Sequence, residues 1–346
     1  MLLIFKKGSF FILNLSEGRI SSLVTFKVSF FETLLISLPF LARISRKGVR
    51  CGIKVTNDLA LFVFGNKIYE LDLTNGHISE GFSTSDHSRP LTFSKIEGVN
   101  GFLDGIYFGG YKGNPDKTPI SIFRRTLPDQ WDEVFQFPPD SIEHIHNIVA
   151  DPYKNIVYIL TGDFAHSAGI WMTDNGFKTV VPLLIGDQKY RACVAFATSD
   201  GLVYATDSPF HYNSIRLLKQ NDNSWESIHL MDINGPAIYG CQWSNDFIFS
   251  TSVEPNGQKQ DFWYKLFGRT QGEGIIENSS FIYKGNLKDG FEIIYKVKKD
   301  IFPFFIFQFG VLIFPSGLNN SLVLPVFHIA TKRNGMNTIL LKKKIN

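Results

Sequence analysis

The stretch HIHNIVADPYKNIVYILTGD, residues 144–163, carries the densest potential chemistry in the chain. His144 and His146 are two residues apart, a spacing that on a β-strand sends both imidazoles to one face, as metal ligation requires. No third ligand is fixed by spacing. A divalent metal on this pair therefore stands beside ligand hydrogen bonding by His144 and acid–base assistance by His146. Arg191, in QKYRACVAFA, enters an apolar run, where a guanidinium must be paired or face a polar channel; carboxylate binding suits it. Asp163, Asp207 (in TDSPFHYN) and Glu254 (in SVEP) each close an apolar run and are candidate catalytic carboxylates. Tyr111 and Asn114 (GGYKGN), Asn213, Tyr239 and Gln308 complete a set of side chains suited to holding a substrate. No cofactor is signalled: the P-loop, GxGxxG, HExxH and GxSxG patterns are all absent.

Bringing these residues together requires a repeated architecture, and the turns supply one. Thr56-Asn57-Asp58, Leu103-Asp104-Gly105, Tyr153-Lys154-Asn155, Ser199-Asp200-Gly201, Ser244-Asn245-Asp246 and Leu318-Asn319-Asn320 each separate two strand-like runs. Asn, Asp and Gly suit tight hairpins because they tolerate positive φ or bond their own backbone. The runs after the turns stack as LALFVFG, IYFGGY, IVYILTGD, LVYATDSP, FIFSTSVEP and LVLPVFHIAT. Five turns recur roughly every 45–50 residues and the last interval is longer, with an insertion expected around Lys284 to Asp300. A period near 45 residues built from four short strands marks a β-propeller. In addition, Leu3–Ile20 aligns without gaps on Leu61–Ile78, with Leu13/Leu71, Leu15/Leu73, Gly18/Gly76 and Ile20/Ile78 identical. The expectation is an all-β chain, a single propeller domain over residues 1–346 with four-stranded antiparallel blades. Six blades follow from six turns, the N-terminal hairpin closing the ring on the last blade. Seven follow if that hairpin is a blade without its inner strand.

In such a fold the start of each inner strand and the end of the next strand meet on one rim around the central channel. All the candidate residues fall at such positions, whereas the opposite turns carry only generic Asn, Asp, Gly and Ser. A funnel of mixed polar and aromatic groups binds ligands, and sugars are an obvious class.

The bulk properties narrow the field. A composition 44% hydrophobic and 14% aromatic supports a large core, and the abundance of Phe leans to strands. A net charge of +3 without a dense basic block gives no nucleic-acid footprint, and Lys342-Lys343-Lys344 reads as a solvated tail. Cys51, Cys193 and Cys241, odd in number and far apart, read as reduced thiols of a cytoplasmic protein. No secretory signal and no membrane span is expected, since Ile301 to Pro315 is too short and interrupted. Thr33 to Ile44 reads as one amphipathic helix. Trp131 and Trp225, in the similar settings QWDEVF and SWESIH, read as repeated blade packing.

RPLTF (89–93), GGYKGNP (109–115), HIHNIVADPY (144–153), TGD (161–163), QKYRA (188–192), TDSPFHYN (206–213), SVEP (252–255) and FQFG (307–310) together resemble the BNR-repeat, sialidase-like propellers found with bacterial surface-polysaccharide genes. The resemblance covers about residues 43 to 330. It implies a carbohydrate-active protein of glycosidase or lyase type acting on an acidic glycan or its precursor, or else a non-catalytic glycan-binding propeller of polysaccharide biosynthesis. True sialidases carry an arginine triad opened by Arg-Ile-Pro, which RISRKGVR (43–50) is not. Their Asp box survives here only as MTDNGFKTV (172–180), with Met172 at the serine position.

Overall fold

Apolar runs punctuated by Asn, Asp and Gly turns fold into seven antiparallel sheets, met in chain order. The computed structural model describes residues 1–342 except 16, 223, 257–260, 317, 333 and 334, so Lys343 and Lys344 of the expected tail lie outside the described residues. The first sheet is β1 (Leu2–Lys6), β2 (Ser9–Asn14) and β3 (Arg19–Thr25), followed by helices α1 (Phe30–Ser37) and α2 (Pro39–Ser45). The second is β4 (Val49–Lys54), β5 (Leu59–Phe64) and β6 (Lys67–Asp72), extended by bridges from Ile68 to Phe82 and Leu71 to Ile78. The third comprises β7 (Ser94–Ile96), β8 (Gly105–Gly109), β9 (Ile120–Leu127) and β10 (Gln130–Phe137). The fourth comprises β11 (His144–Asp151), β12 (Ile156–Gly162), β13 (Gly169–Thr173) and β14 (Val181–Ile185). The fifth is β15 (Ala192–Thr198), β16 (Gly201–Thr206), β17 (Asn213–Asn221) and β18 (Ser224–Ile233). The sixth is β19 (Ala237–Trp243), β20 (Asp246–Thr251), β21 (Ser279–Asn286) and β22 (Gly290–Lys298), with α3 (Phe262–Phe267) between β20 and β21. After α4 (Phe304–Phe307), β23 (Val311–Ile313), β25 (Val323–Thr331) and β26 (Gly335–Lys342) form the seventh, while β24 (Leu318–Asn319) pairs with β19.

The second strand of each blade reads as continuously apolar because neighbouring blades bury both of its faces. In β12, Val157 and Ile159 join a core shared with the third sheet, whereas Tyr158 and Leu160 join one shared with the fifth. In β16, Leu202 and Tyr204 face the fourth sheet, and Val203 and Ala205 face the sixth. Phe62 and Phe64 of β5 pack on Phe10 and Phe26 of the first sheet, while Leu61 and Val63 meet Ile106 and Phe108 of the third. Cys241 and Ile248 meet Leu312 and Val326 between the sixth and seventh. Trp131 stacks on Phe93 and Trp225 meets Tyr158 edge-on, the blade packing expected of them.

Seven sheets make the propeller, the alternative in which the N-terminal hairpin is a blade without its inner strand. Five of the six predicted turns join an inner strand directly to its neighbour, and the sixth lies between β23 and β25, its Leu318 and Asn319 forming β24 on β19. The first sheet has no such turn because it begins at the second strand position: the Leu3–Ile20 repeat lays β1 on β5 and β2 on β6. The N-terminal strands form their own sheet and, among the described residues, do not pair with the last blade. Three further expectations are corrected. Lys284 to Lys298 belongs to the β21–β22 hairpin, and the extra length lies between β20 and β21, where α3 sits. Thr33 to Ile44 is two helices, because Pro39 lacks the amide that a continuous helix needs and opens α2 instead. Gln308 does not join the polar cluster described below. Its amide donates to the Arg43 carbonyl (2.7 Å), while the buried Arg43 bonds the Phe307 carbonyl (2.6 Å) and pairs with Asp300 (2.8 Å). These contacts fasten α2 to the segment entering the seventh sheet, and Ser316 bonds the Gly52 carbonyl of β4 (2.8 Å).

Inner strands share one more feature. Register shifts interrupt β4 between Val49 and Gly52, β11 between Ile145 and Asn147, β15 between Ala192 and Val194, and β19 between Ala237 and Tyr239. Such bulges re-aim side chains locally. Arg50, Cys51, His146 and Cys193 are the residues at three of them.

Candidate functional site

The bulge in β11 turns His146 toward His144, so that their Nε2 atoms stand 3.1 Å apart. Asp163, just past the end of β12, brings Oδ1 to 3.3 Å from His144 Nε2 and 3.2 Å from His146 Nε2. His144 Nδ1 lies 3.1 Å from the Lys112 carbonyl and His146 Nδ1 lies 3.0 Å from the Ala192 carbonyl, which fixes both rings between neighbouring blades. Gly162 is a glycine because a Cβ there would overlap the His146 ring. Tyr111 covers the pair, its ring 4.4 Å from that of His144.

Arg191 enters from the short turn before β15 and joins this group to the fifth blade. Its guanidinium pairs with Asp163 Oδ1 at 3.0 Å, lies 3.5 Å from Asp207 Oδ2, and sits over the Phe164 ring. Burial opposes its charge, but the carboxylates of Asp207 and Asp163 outweigh burial and raise its pKa. Asp163 is the converse. Burial would raise its pKa, but Arg191, and either histidine whenever its Nε2 carries a proton, lower it below the usual carboxylate range. The Arg191 guanidinium 3.0 Å away favours its carboxylate form, which suits a fixed negative charge better than the expected acid or base.

Asp207 and Glu254 are shifted the other way. Asp207 is buried, and its pKa is raised by burial despite Arg191. Its Oδ2 accepts from the Cys193 thiol (3.1 Å), while Oδ1 has no hydrogen-bond partner among the described residues. Cys193 itself is pushed well above the usual thiol range by burial and by Asp207, so it is a donor and not a nucleophile. Glu254 accepts from Ser252 Oγ (2.6 Å), and burial together with Asp207 raises its pKa to about 7. Asp207 thus acts on Glu254, and groups that interact in this way titrate together.

Across the funnel, burial raises Tyr239 to about 12, with Glu254 and Arg50 among the groups acting on it. Arg50 in turn feels Arg89, and the backbone of Arg89 bridges that of Tyr111. The groups thus close a ring through blades two to six. Sequence reasoning placed His144, His146, Asp163, Arg191, Asp207, Glu254, Tyr111 and Tyr239 on one rim, and the structure brings these eight together.

Asn114 and Asn213 lie at the same end but turn inward. Asn114 donates to the Thr118 and Glu143 carbonyls and accepts from Thr118. Asn213, fully buried, donates to the Ser208 and His211 carbonyls and accepts from Thr206 and the Ser208 amide. Both pin loops, and no atom is left to meet a substrate. Asn213→Ala is expected to cost about 1–3 kcal/mol, because several buried loop groups lose their partner. Urea unfolding at pH 7 measures it.

Two residues were missed. Arg50 and Arg89 meet no carboxylate among the described residues, and each has its pKa lowered by burial, Arg50 further by Arg89. Arg50 sits at an inner-strand start, which was a usable signal. Arg89 opens RPLTF, one of the motifs that carry the resemblance, but its place in the ring depends on the bridge to Tyr111.

Fold and site together define a seven-bladed β-propeller with a charged funnel at one end of its channel. No family model matches the chain, and no curated protein matches it. Solved structures do. A chain of the "Mitotic Checkpoint Complex" matches with TM-score 0.55 at 8% identity, over 99% of this chain and 88% of that one. The Cps50 (Swd1) β-propeller domain of Myceliophteria thermophila matches with TM-score 0.53 at 9% identity, over 98% and 94%. A putative 6-phosphogluconolactonase from Bacteroides uniformis matches with TM-score 0.48 at 12% identity, over 97% and 90%. At these identities the likeness extends to the fold alone. Among the described residues no helix is long and apolar enough to cross a membrane.

Proposed function

We propose that the funnel binds an anionic carbohydrate and transforms it by acid–base chemistry, in the manner of a glycosidase or lyase. The observation that carries this reading is the division of charge around the ring. Arg191 is already neutralised by Asp163 and Asp207, whereas Arg50 and Arg89 stand without a carboxylate beside Tyr239 and Tyr111. A ligand carboxylate supplies the missing counter-charge with the bidentate geometry that guanidinium favours. Carboxylate recognition, expected of Arg191, thus passes to these two residues. Glu254, part-accessible and with its pKa near 7, is matched to donating a proton at neutral pH. The BNR-like motifs support the same reading, since HIHNIVADPY, TGD, QKYRA and SVEP all contribute to the ring. The free cysteines support a cytoplasmic setting. A second reading, glycan binding without turnover, is favoured by the locking of His144, His146, Asp163 and Arg191 into one another.

Screening uronate- and sialate-containing oligosaccharides for binding and cleavage tests both. Arg50→Ala/Arg89→Ala is expected to abolish binding of the acidic glycan while the fold survives. Glu254→Gln is expected to keep binding and lose about 10²–10⁴ in kcat. Normal turnover in Glu254→Gln removes the acid role, and binding without turnover in the wild type leaves the second reading. The same variant has a stability signature. Glu254 has a raised pKa, so the folded protein keeps a proton between about pH 4.5 and 7 that the unfolded chain releases. Stability therefore falls as pH rises through that window, and Glu254→Gln flattens the fall.

A further inference from the structure

The two imidazoles and the Asp163 carboxylate present a problem of proton accounting that the ring alone does not solve. A carbonyl oxygen only accepts, so His144 Nδ1 beside the Lys112 carbonyl and His146 Nδ1 beside the Ala192 carbonyl both carry hydrogen. In the neutral rings both Nε2 atoms are then bare lone pairs. They face each other at 3.1 Å, and both face Asp163 Oδ1, which is a third acceptor, at 3.3 and 3.2 Å. Three buried acceptors converging on one point repel unless a positive charge lies among them. A proton placed on one Nε2 points well at only one of the other two atoms, whereas a metal ion meets all three.

We infer that His144 Nε2, His146 Nε2 and Asp163 Oδ1 form a facial site for a divalent first-row transition metal, with zinc the best fit. The geometry is that of a coordination face. The three atoms form a nearly equilateral triangle with edges of 3.1, 3.2 and 3.3 Å. A point about 2.1 Å from each corner, the usual metal–ligand distance, lies about 1 Å above that plane, with ligand–metal–ligand angles of about 100°. Two nitrogens to one oxygen exclude the oxygen-seeking Mg²⁺ and Ca²⁺. Backbone carbonyls already hold both Nδ1–H groups and Arg191 holds Asp163, which is the outer shell that metal-binding histidines need. Asp163 remains 26% exposed, so the ion keeps open positions toward the funnel, as in metal sites that act on substrates. A rival set of His146, Cys193 and Asp207 fits less well, because the Cys193 thiol is engaged by Asp207 and His146 Nε2 points at Asp163.

Metal analysis of the full-length protein, purified without chelator or a histidine tag, tests the site by a readout independent of any carbohydrate. Close to one equivalent of zinc or another first-row metal per chain is expected. Chelator-stripped protein is expected to regain it and to show a higher thermal midpoint with Zn²⁺ and visible d–d absorption with Co²⁺. His144→Gln and His146→Gln are each expected to weaken Zn²⁺ binding more than about 100-fold, beyond the usual cost of losing an outer-shell partner. Their far-UV circular dichroism shows whether they fold. Folded wild-type protein that neither retains metal nor responds to Zn²⁺ or Co²⁺ overturns the inference and leaves a shared proton in its place. Metal retained at full affinity by both folded variants overturns it equally.

Discussion

Replacing Arg191 by methionine is expected to cost about 3–5 kcal/mol of folding stability at pH 7, the usual result of breaking a buried pair from one side. Methionine keeps the apolar stem and removes the guanidinium, so the loss is chiefly that of the charge and its hydrogen bonds. Asp163 and Asp207 both remain, the first ionised and the second buried with only the Cys193 thiol beside it. Asp163 has a depressed pKa, so its contribution is present above the unfolded carboxylate pKa of about 3.9 and is lost as pH falls. The difference between variant and wild type should therefore shrink in acid. Urea unfolding at pH 7 and at about pH 2.5, below the unfolded carboxylate pKa, measures both effects, and Arg191→Met/Asp207→Asn should recover part of the loss. A cost below about 1 kcal/mol at pH 7 would show that the two carboxylates do not depend on Arg191.

That dependence also explains what the sequence could show. Arg191 could be singled out because a charged residue entering QKYRACVAFA has few tolerable surroundings, but its partners are supplied by the end of β12 and the end of β16. Turns were legible for a local reason: Asn, Asp and Gly at each hairpin act through their own backbones. The continuous apolar β12 and β16 announced burial on both faces. The N-terminal sheet was harder, because it lacks the inner strand and hence the turn by which the other six were counted. Bulges in β4, β11, β15 and β19 were not legible, since a bulge exists only relative to the strand opposite. Asn114 and Asn213 show the limit from the other side. An amide that pins a loop and one that binds a sugar are the same residue, and only the hydrogen-bond partners tell them apart.

Gly162→Ala is expected to have the second large effect, and it addresses the histidine cluster most directly. Gly162 pairs with His144 across the β11–β12 ladder, and its φ is not in the left-handed region, so alanine brings no backbone strain. The whole effect is steric: the new methyl group would occupy the space of His146 Cε1 and Nε2. Either the imidazole leaves its place between Asp163 and the Ala192 carbonyl or the blade edges part. Overpacking of this kind costs about 1–3 kcal/mol. A double-mutant cycle separates it from a general weakening of the strand. In a His146→Ala background the space is vacant, and Gly162→Ala should then cost close to nothing. Chelator-stripped Gly162→Ala should also bind Zn²⁺ no better than the histidine variants, because Nε2 is displaced even though every ligand is present. Equal destabilisation in both backgrounds would mean that Gly162 serves the strand and not the imidazole. Loss of Zn²⁺ binding with little loss of stability would mean that the blade yields readily but the three acceptor atoms do not tolerate displacement.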